Sequence, residues 1–110
     1  MDEREFLSLA DATMDRLERI IESALDAADV DYDSELQPGG ILELTFEDDS
    51  KIIINRHAAA REIWVAARAG GFHYRYDGGR WIGTRDGEEL FTALSRLISG
   101  QAGAAISLQG

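Results

Sequence analysis

The chain has 110 residues, 45% of them hydrophobic and 29% charged, with a formal net charge of −10 and no cysteine. That length suits one packed domain over residues 1–110. The missing cysteine excludes disulfides, thiolate metal sites and thiol catalysis. No apolar run approaches the roughly 20 residues of a membrane span. The acidic start, Met1-Asp2-Glu3-Arg4-Glu5, is unlike a signal or transit peptide, so the expected location is the cytoplasm.

Residues 3–28 read as one amphipathic helix. Phe6, Leu9, Ala10, Thr13, Met14, Leu17, Ile20, Ile21, Ala24, Leu25 and Ala28 recur at spacings of three and four, with no glycine or proline between them. From Val30 the period changes to two. Residues 30–36 are expected as a strand that turns at Pro38-Gly39-Gly40. Leu42, Leu44 and Phe46 then alternate with Glu43, Thr45 and Glu47 as a half-buried antiparallel strand. Asp48-Asp49-Ser50 makes a hairpin turn into the β-branched run Lys51–Arg56. After a connection at 57–61 come strands at Glu62–Ala67, Phe72–Tyr76 and Arg80–Thr84, separated by Gly70-Gly71 and Gly78-Gly79.

Asp86 reads as the N-cap of a second helix, followed by the first-turn acids Glu88 and Glu89. Leu90, Phe91, Leu94, Leu97 and Ile98 form its apolar stripe, and Gly100 is its expected end. Ile106 and Leu108, two apart, suit an extended tail. Helix, about six strands, helix is an α+β order, satisfied by two helices packed on one face of an antiparallel sheet.

The charge is unevenly placed. Residues 1–49 hold sixteen Asp and Glu against three Arg, a net of −13, whereas residues 50–110 carry a net of +3. An acidic half repels nucleic acid and anionic lipid and attracts cations or basic protein surfaces. On a helical wheel, Asp11, Asp15, Glu18, Glu22, Asp26 and Asp29 fall within a sector of about 80°. Five like-charge pairs three or four residues apart cost on the order of 1–2 kcal/mol, and Arg19, facing Asp15 and Glu22, is expected to offset part of that. Asp31, Asp33 and Glu35 extend the acids along one face of the following strand. Two readings stand side by side: a solvated face that keeps the protein soluble, and a ridge of hard oxygen donors suited to Fe, Mn, Ca or Mg. Any metal held there would be at the surface, weakly bound and poorly selected.

In Glu62–Ala67, Ile63 and Val65 share one face while Glu62, Trp64 and Ala66 share the other. With Ile63 and Val65 inward, Trp64 and Asn55 lie on the open side of the sheet beside Arg56, a set with the character of a protein-binding hot spot. With the sheet inverted, Trp64 is a core residue. Trp81 reads as structural packing in its hairpin. His57 and His73 stand apart in sequence and read as loop or surface residues. There is no nucleophile elbow, Gly-rich phosphate loop or acid–base set, hence no positive sign of an enzyme.

Several of these segments match a known family together. FLSLAD at 6–11, GGILELTFE at 39–47, SKIIINR at 50–56, Ile63-Trp64 followed by Gly70-Gly71, and the stretch from Trp81 to Gly87 resemble the bacterial frataxins nearly end to end. The resemblance implies a sandwich of two helices on an antiparallel sheet. It implies ferrous and ferric iron bound weakly at a ridge, here Asp11, Asp15, Glu18, Glu22, Asp26, Asp29, Asp31 and Asp33. It also implies a monomer without metal that docks on the cysteine desulfurase and its complex with the iron–sulfur scaffold protein. The family's exposed tryptophan and its amide neighbour would fall on Trp64 and Asn55, and Arg56 beside them completes the expected partner-binding set. The alternative is an acidic module that occupies a basic protein surface without any metal.

Overall fold

A computed structural model describes residues 1–109. Its elements run α1 (Glu3–Ala27), β1 (Tyr32–Gln37), β2 (Ile41–Phe46), β3 (Lys51–His57), β4 (Glu62–Ala67), β5 (Gly70–Asp77), β6 (Arg80–Gly83) and α2 (Leu90–Ala102). The strands form one antiparallel meander in the order β1-β2-β3-β4-β5-β6. Among the described residues no helix is long and apolar enough to cross a membrane.

Register decides which face is the core. Leu42 pairs with Ile54 and Ile54 with Val65, Leu44 pairs with Ile52, and Ile63 pairs with Tyr74. Cross-strand partners point to the same side of a sheet, and all seven of these side chains are buried. Against them α1 lays Phe6, Ala10, Met14, Leu17, Ile21 and Leu25, and α2 lays Leu90, Leu94, Leu97 and Ile98, in one connected core. Both helices therefore cover the same face of the sheet, as the alternation in β2 and β4 predicts. Burying a side chain of this kind contributes about 1.5–3 kcal/mol. Trp81 is also buried, and its Nε1 donates to Thr13 Oγ1 at 2.9 Å. It is a packing residue that ties the last hairpin to α1.

Two boundaries of α2 differ from the sequence reading. The N-cap is Glu89, not Asp86: its carboxylate accepts the backbone N–H groups of Phe91 and Thr92 at 2.8 and 3.1 Å. Asp86 instead accepts from Glu88 N inside the preceding turn. A bridge between Ile82 and Glu89 continues the pairing past β6 and delays the helix start. The far end is not at Gly100, which lies exposed within the helix. Gly103 closes it, with φ of 70° and its N–H on Ser99 O. The extra turn carries Gln101, buried, whose amide accepts from Arg68 N and donates to Ser50 Oγ and Lys51 O. The tail then doubles back along α2, with Ile106 N and Leu108 N donating to Ser99 Oγ and Ser95 Oγ. Ile106 and Leu108 are buried there.

β1 is the poorly covered edge. Tyr32, Ser34 and Leu36 face the helix side through their partners Phe46, Leu44 and Leu42. Leu36 is nevertheless 50% exposed.

Candidate functional site

Two surfaces carry the candidate residues. The first is the acidic stripe of α1. Asp11, Asp15, Glu22 and Asp26 are exposed and Glu18 is half-buried, on a helix fixed to the sheet by its opposite side. Asp11 differs from the rest in having a partner: Arg56 Nε lies 3.1 Å from its Oδ1. That contact is an ion pair without the alignment of a hydrogen bond, since Arg56 Nε finds no aligned acceptor. Among the described residues no ion pair reaches Asp15, Glu18, Glu22 or Asp26, and Arg19 pairs with none of them.

The far end of the stripe is shorter than the wheel suggests. The helix ends at Ala27, and Asp29 sits beyond the cap with φ of 57°, so Asp26 and Asp29 are not a helical pair. Asp31 precedes β1, and only Asp33 and Glu35 alternate on one strand face, the one away from the helices. The link between helix and edge strand is Tyr32. Burial pushes its hydroxyl above the ordinary tyrosine value, and the nearby Asp26 and Glu22 carboxylates push the same way. The stripe and β1 thus meet at one aromatic ring, with Asp31 and Asp33 on either side of it in sequence. Among the described residues, no three His, Cys, Asp or Glu side chains converge to enclose a metal ion. Carboxylates one helical turn apart offer a cation a few hard oxygens and leave the rest of its shell to water.

The second surface is the outer face of the sheet. Asn55 pairs with Trp64 and Trp64 with His73, so these three share the side opposite the helices. Trp64 is half-buried there because its ring is held between two imidazoles. His57 stacks on one side at 3.8 Å and 13°, and His73 on the other at 4.3 Å and 9°. Beneath them Glu62 is only 5% exposed. Its Oε1 accepts from Trp64 Nε1 at 2.8 Å, and its Oε2 pairs with Arg75 Nε at 2.7 Å. His73 Nδ1 stands 3.5 Å from Oε1. Burial by itself raises the Glu62 carboxyl. The hydrogen bonds from Trp64 and Arg75, with the charge of Arg75, outweigh it and hold the group below the ordinary glutamate value. His57 is fixed as well, its Nδ1 accepting from Ala60 N at 3.2 Å across the β3–β4 turn.

Three predicted partner-binding residues therefore divide. Trp64 and Asn55 are together on the outer face. Arg56 pairs with Ile63 and points with it toward the helices, so it does not belong to the tryptophan surface. It packs instead under Gly40, where an added Cβ would collide with its side chain. The two histidines, apart in sequence, become the walls of the tryptophan, and Glu62 becomes its anchor.

The family model of the frataxin-like domain matches residues 1–104. The chain belongs to the frataxin family. Its relatives include the iron-sulfur cluster assembly protein CyaY of Dechloromonas aromatica, 57% identical over 99% of this chain and 100% of the relative. The protein of the same name from Cupriavidus necator is 55% identical over 98% and 96%. Among solved structures, the frataxin of Psychromonas ingrahamii superposes over all of both chains with a TM-score of 0.84 at 39% identity. The trimeric frataxin of Saccharomyces cerevisiae, complexed with ferrous iron, gives 0.74 at 25% identity over 86% of this chain and 85% of that one.

Proposed function

We propose that the protein serves iron–sulfur cluster assembly, as its relatives named CyaY do. In this reading it carries no catalytic centre. It is a monomer when metal-free and works in the cytoplasm by docking on the cysteine desulfurase and on that enzyme's complex with the scaffold protein. Iron, ferrous or ferric, is cargo held weakly at the surface by Asp15, Glu18, Glu22 and Asp26, with Asp11, Asp29, Asp31 and Asp33 at the ends of the ridge. The binding of ferrous iron by the yeast frataxin supports the iron part. Trp64 and Asn55 form the contact surface of the outer sheet, and Arg56 acts indirectly through Asp11.

The observation that carries the reading is the row of carboxylates on α1 that have no counter-ion among the described residues. Folded proteins normally interleave charges of both signs, because like charges at helical spacing repel. Four unpaired acids on one face create a field that a metal ion or a basic partner would relieve. A second reading, an acidic module that needs no metal, has its own support in that no three ligands converge among the described residues.

One set of variants separates the two. In Asp15→Lys with Glu18→Lys and Glu22→Lys, the iron-carrying reading expects loss of saturable Fe(II) binding and of desulfurase affinity together. Loss of desulfurase affinity alone, with no saturable Fe(II) binding by the parent protein, would establish the metal-free module. Unchanged binding of both would defeat the ridge in either form.

A further inference from the structure

Away from both surfaces, a groove of about 500 Å³ opens between α1, the β5–β6 hairpin and the first turn of α2. Its floor is apolar, made by Leu9, Trp81 and Phe91 with Tyr76 alongside. This floor is rigid: Trp81 is buried, hydrogen-bonded to Thr13, and packed edge-on to Phe6 and Tyr76 at 5.9 and 5.2 Å. Beside it stand two arginines, Arg16 and Arg80. Among the described residues neither has a carboxylate within 4.0 Å, as is also true of Arg4, Arg19, Arg61 and Arg85, while Arg56, Arg68, Arg75, Arg96 and Lys51 are paired; what sets Arg16 and Arg80 apart is that both line one groove. Arg16 is held over the Phe91 ring at 5.4 Å.

The acid that lines the groove, Glu89, is already committed. Both its oxygens accept the first N–H groups of α2. The lining thus carries two free positive charges over an aromatic floor, in a molecule whose net charge is −10. A cavity of this size is in the range that takes a small ligand. Guanidinium groups select carboxylates by paired, charge-assisted hydrogen bonds.

We infer that this groove binds a small amphipathic carboxylate. Its apolar body lies on Leu9, Trp81 and Phe91, and its anion lies between the guanidinium groups of Arg16 and Arg80. The site is separate from the acidic ridge and from Trp64, so it stands whether or not the docking reading holds.

A matched pair of probes tests charge and shape together: indole-3-acetate and tryptamine share one ring and differ in the sign of the side chain. The readout is the Trp81 indole N–H resonance in the full chain, assigned against Trp64→Phe. Indole-3-acetate is expected to shift it saturably, with the Trp64 resonance unmoved and tryptamine without effect at the same concentration. Arg16→Gln with Arg80→Gln should weaken binding at least about tenfold, the loss of one good hydrogen bond to a charged group. Both arginines are exposed, so the variant should melt near the parent temperature, and the tryptamine arm needs no variant. Equal binding of tryptamine would overturn the inference, as would undiminished binding in the double variant or no shift at millimolar probe. So would a Trp81 resonance that moves only with protein concentration, which would mean that a second copy covers the groove.

Discussion

The acidic ridge and the outer sheet face are opposites in how their polar groups are satisfied. On the ridge, Asp15, Glu18, Glu22 and Asp26 have no counter-ion among the described residues. On the sheet, Glu62 is buried and holds Trp64, Arg75 and His73 in place, and two imidazoles fix the tryptophan ring. The ridge is a field with no fixed partner geometry. The sheet face is a fixed shape with little free charge. Binding through a field is strong at low salt and tolerant of what is bound, whereas binding through a preorganised aromatic depends on fit and little on salt. The proposed function, a loosely held cation and one recognised protein surface, would use both.

The contrast can be broken most severely from below the ridge. Leu17, fully buried on the opposite side of α1, seats the helix on the sheet. Leu17→Ala should lower stability by about 2–5 kcal/mol in urea unfolding. A loss under 1 kcal/mol would mean that α1 is not anchored as described.

Next in size is the anchor of the sheet face. Glu62→Ala leaves Trp64 Nε1 and Arg75 without their acceptor and should cost about 1–3 kcal/mol. The Trp64 emission should shift as the His57–Trp64–His73 stack loosens. The same group has a pH signature. Its folded pKa lies below the ordinary value, so the unfolded chain binds the proton more readily and stability rises with pH in that window. Its contribution is complete above the unfolded value of about 4.3 and is lost as pH falls through the lower folded value. Glu62→Gln should therefore flatten the acid-side slope of Tm relative to the parent protein.

A comparable or smaller loss is expected at the Asp11 end of the ridge. Gly40 has φ of 75° and lies against Arg56, the partner of Asp11. Gly40→Ala places a side chain in the left-handed region, about 1–2 kcal/mol for an L-residue, and displaces Arg56. Circular dichroism melting gives the loss. The smallest effect has the opposite sign. Glu18→Gln with Glu22→Gln removes repulsion from the stripe and should stabilise by a few tenths of a kcal/mol. That gain should disappear in high salt.

Much of this architecture was legible in the sequence because the periods are clean. Leu42-Leu44-Phe46 and Ile63-Val65 alternate without a break, and α1 has no interruption. Trp64 fell on the open face as one of the two readings allowed. The alternation Ile52, Ile54, Arg56 also carried the inward direction of Arg56, although nearness to Trp64 in the paired strand suggested otherwise. Local capping chemistry misled at α2. Asp86 and Glu89 are both competent acceptors, and only the Ile82–Glu89 bridge chooses between them. Gly100 was an ambiguous stop, since an exposed glycine costs a helix only about 1 kcal/mol, and the packing of Gln101 carries the helix past it. The tryptophan clamp was hidden because His57 and His73 are sixteen positions apart in sequence. Strand register brings them to either side of one ring.

The division between field and shape is tested most directly by the affinity for the cysteine desulfurase measured across a salt series. The proteins to compare are the parent, Asp15→Asn with Glu18→Gln and Glu22→Gln, and Trp64→Ala. The ridge variant should bind weakly with a nearly flat salt dependence, and Trp64→Ala should bind weakly with the parent's slope. A ridge variant that kept the parent's full salt slope would contradict the account.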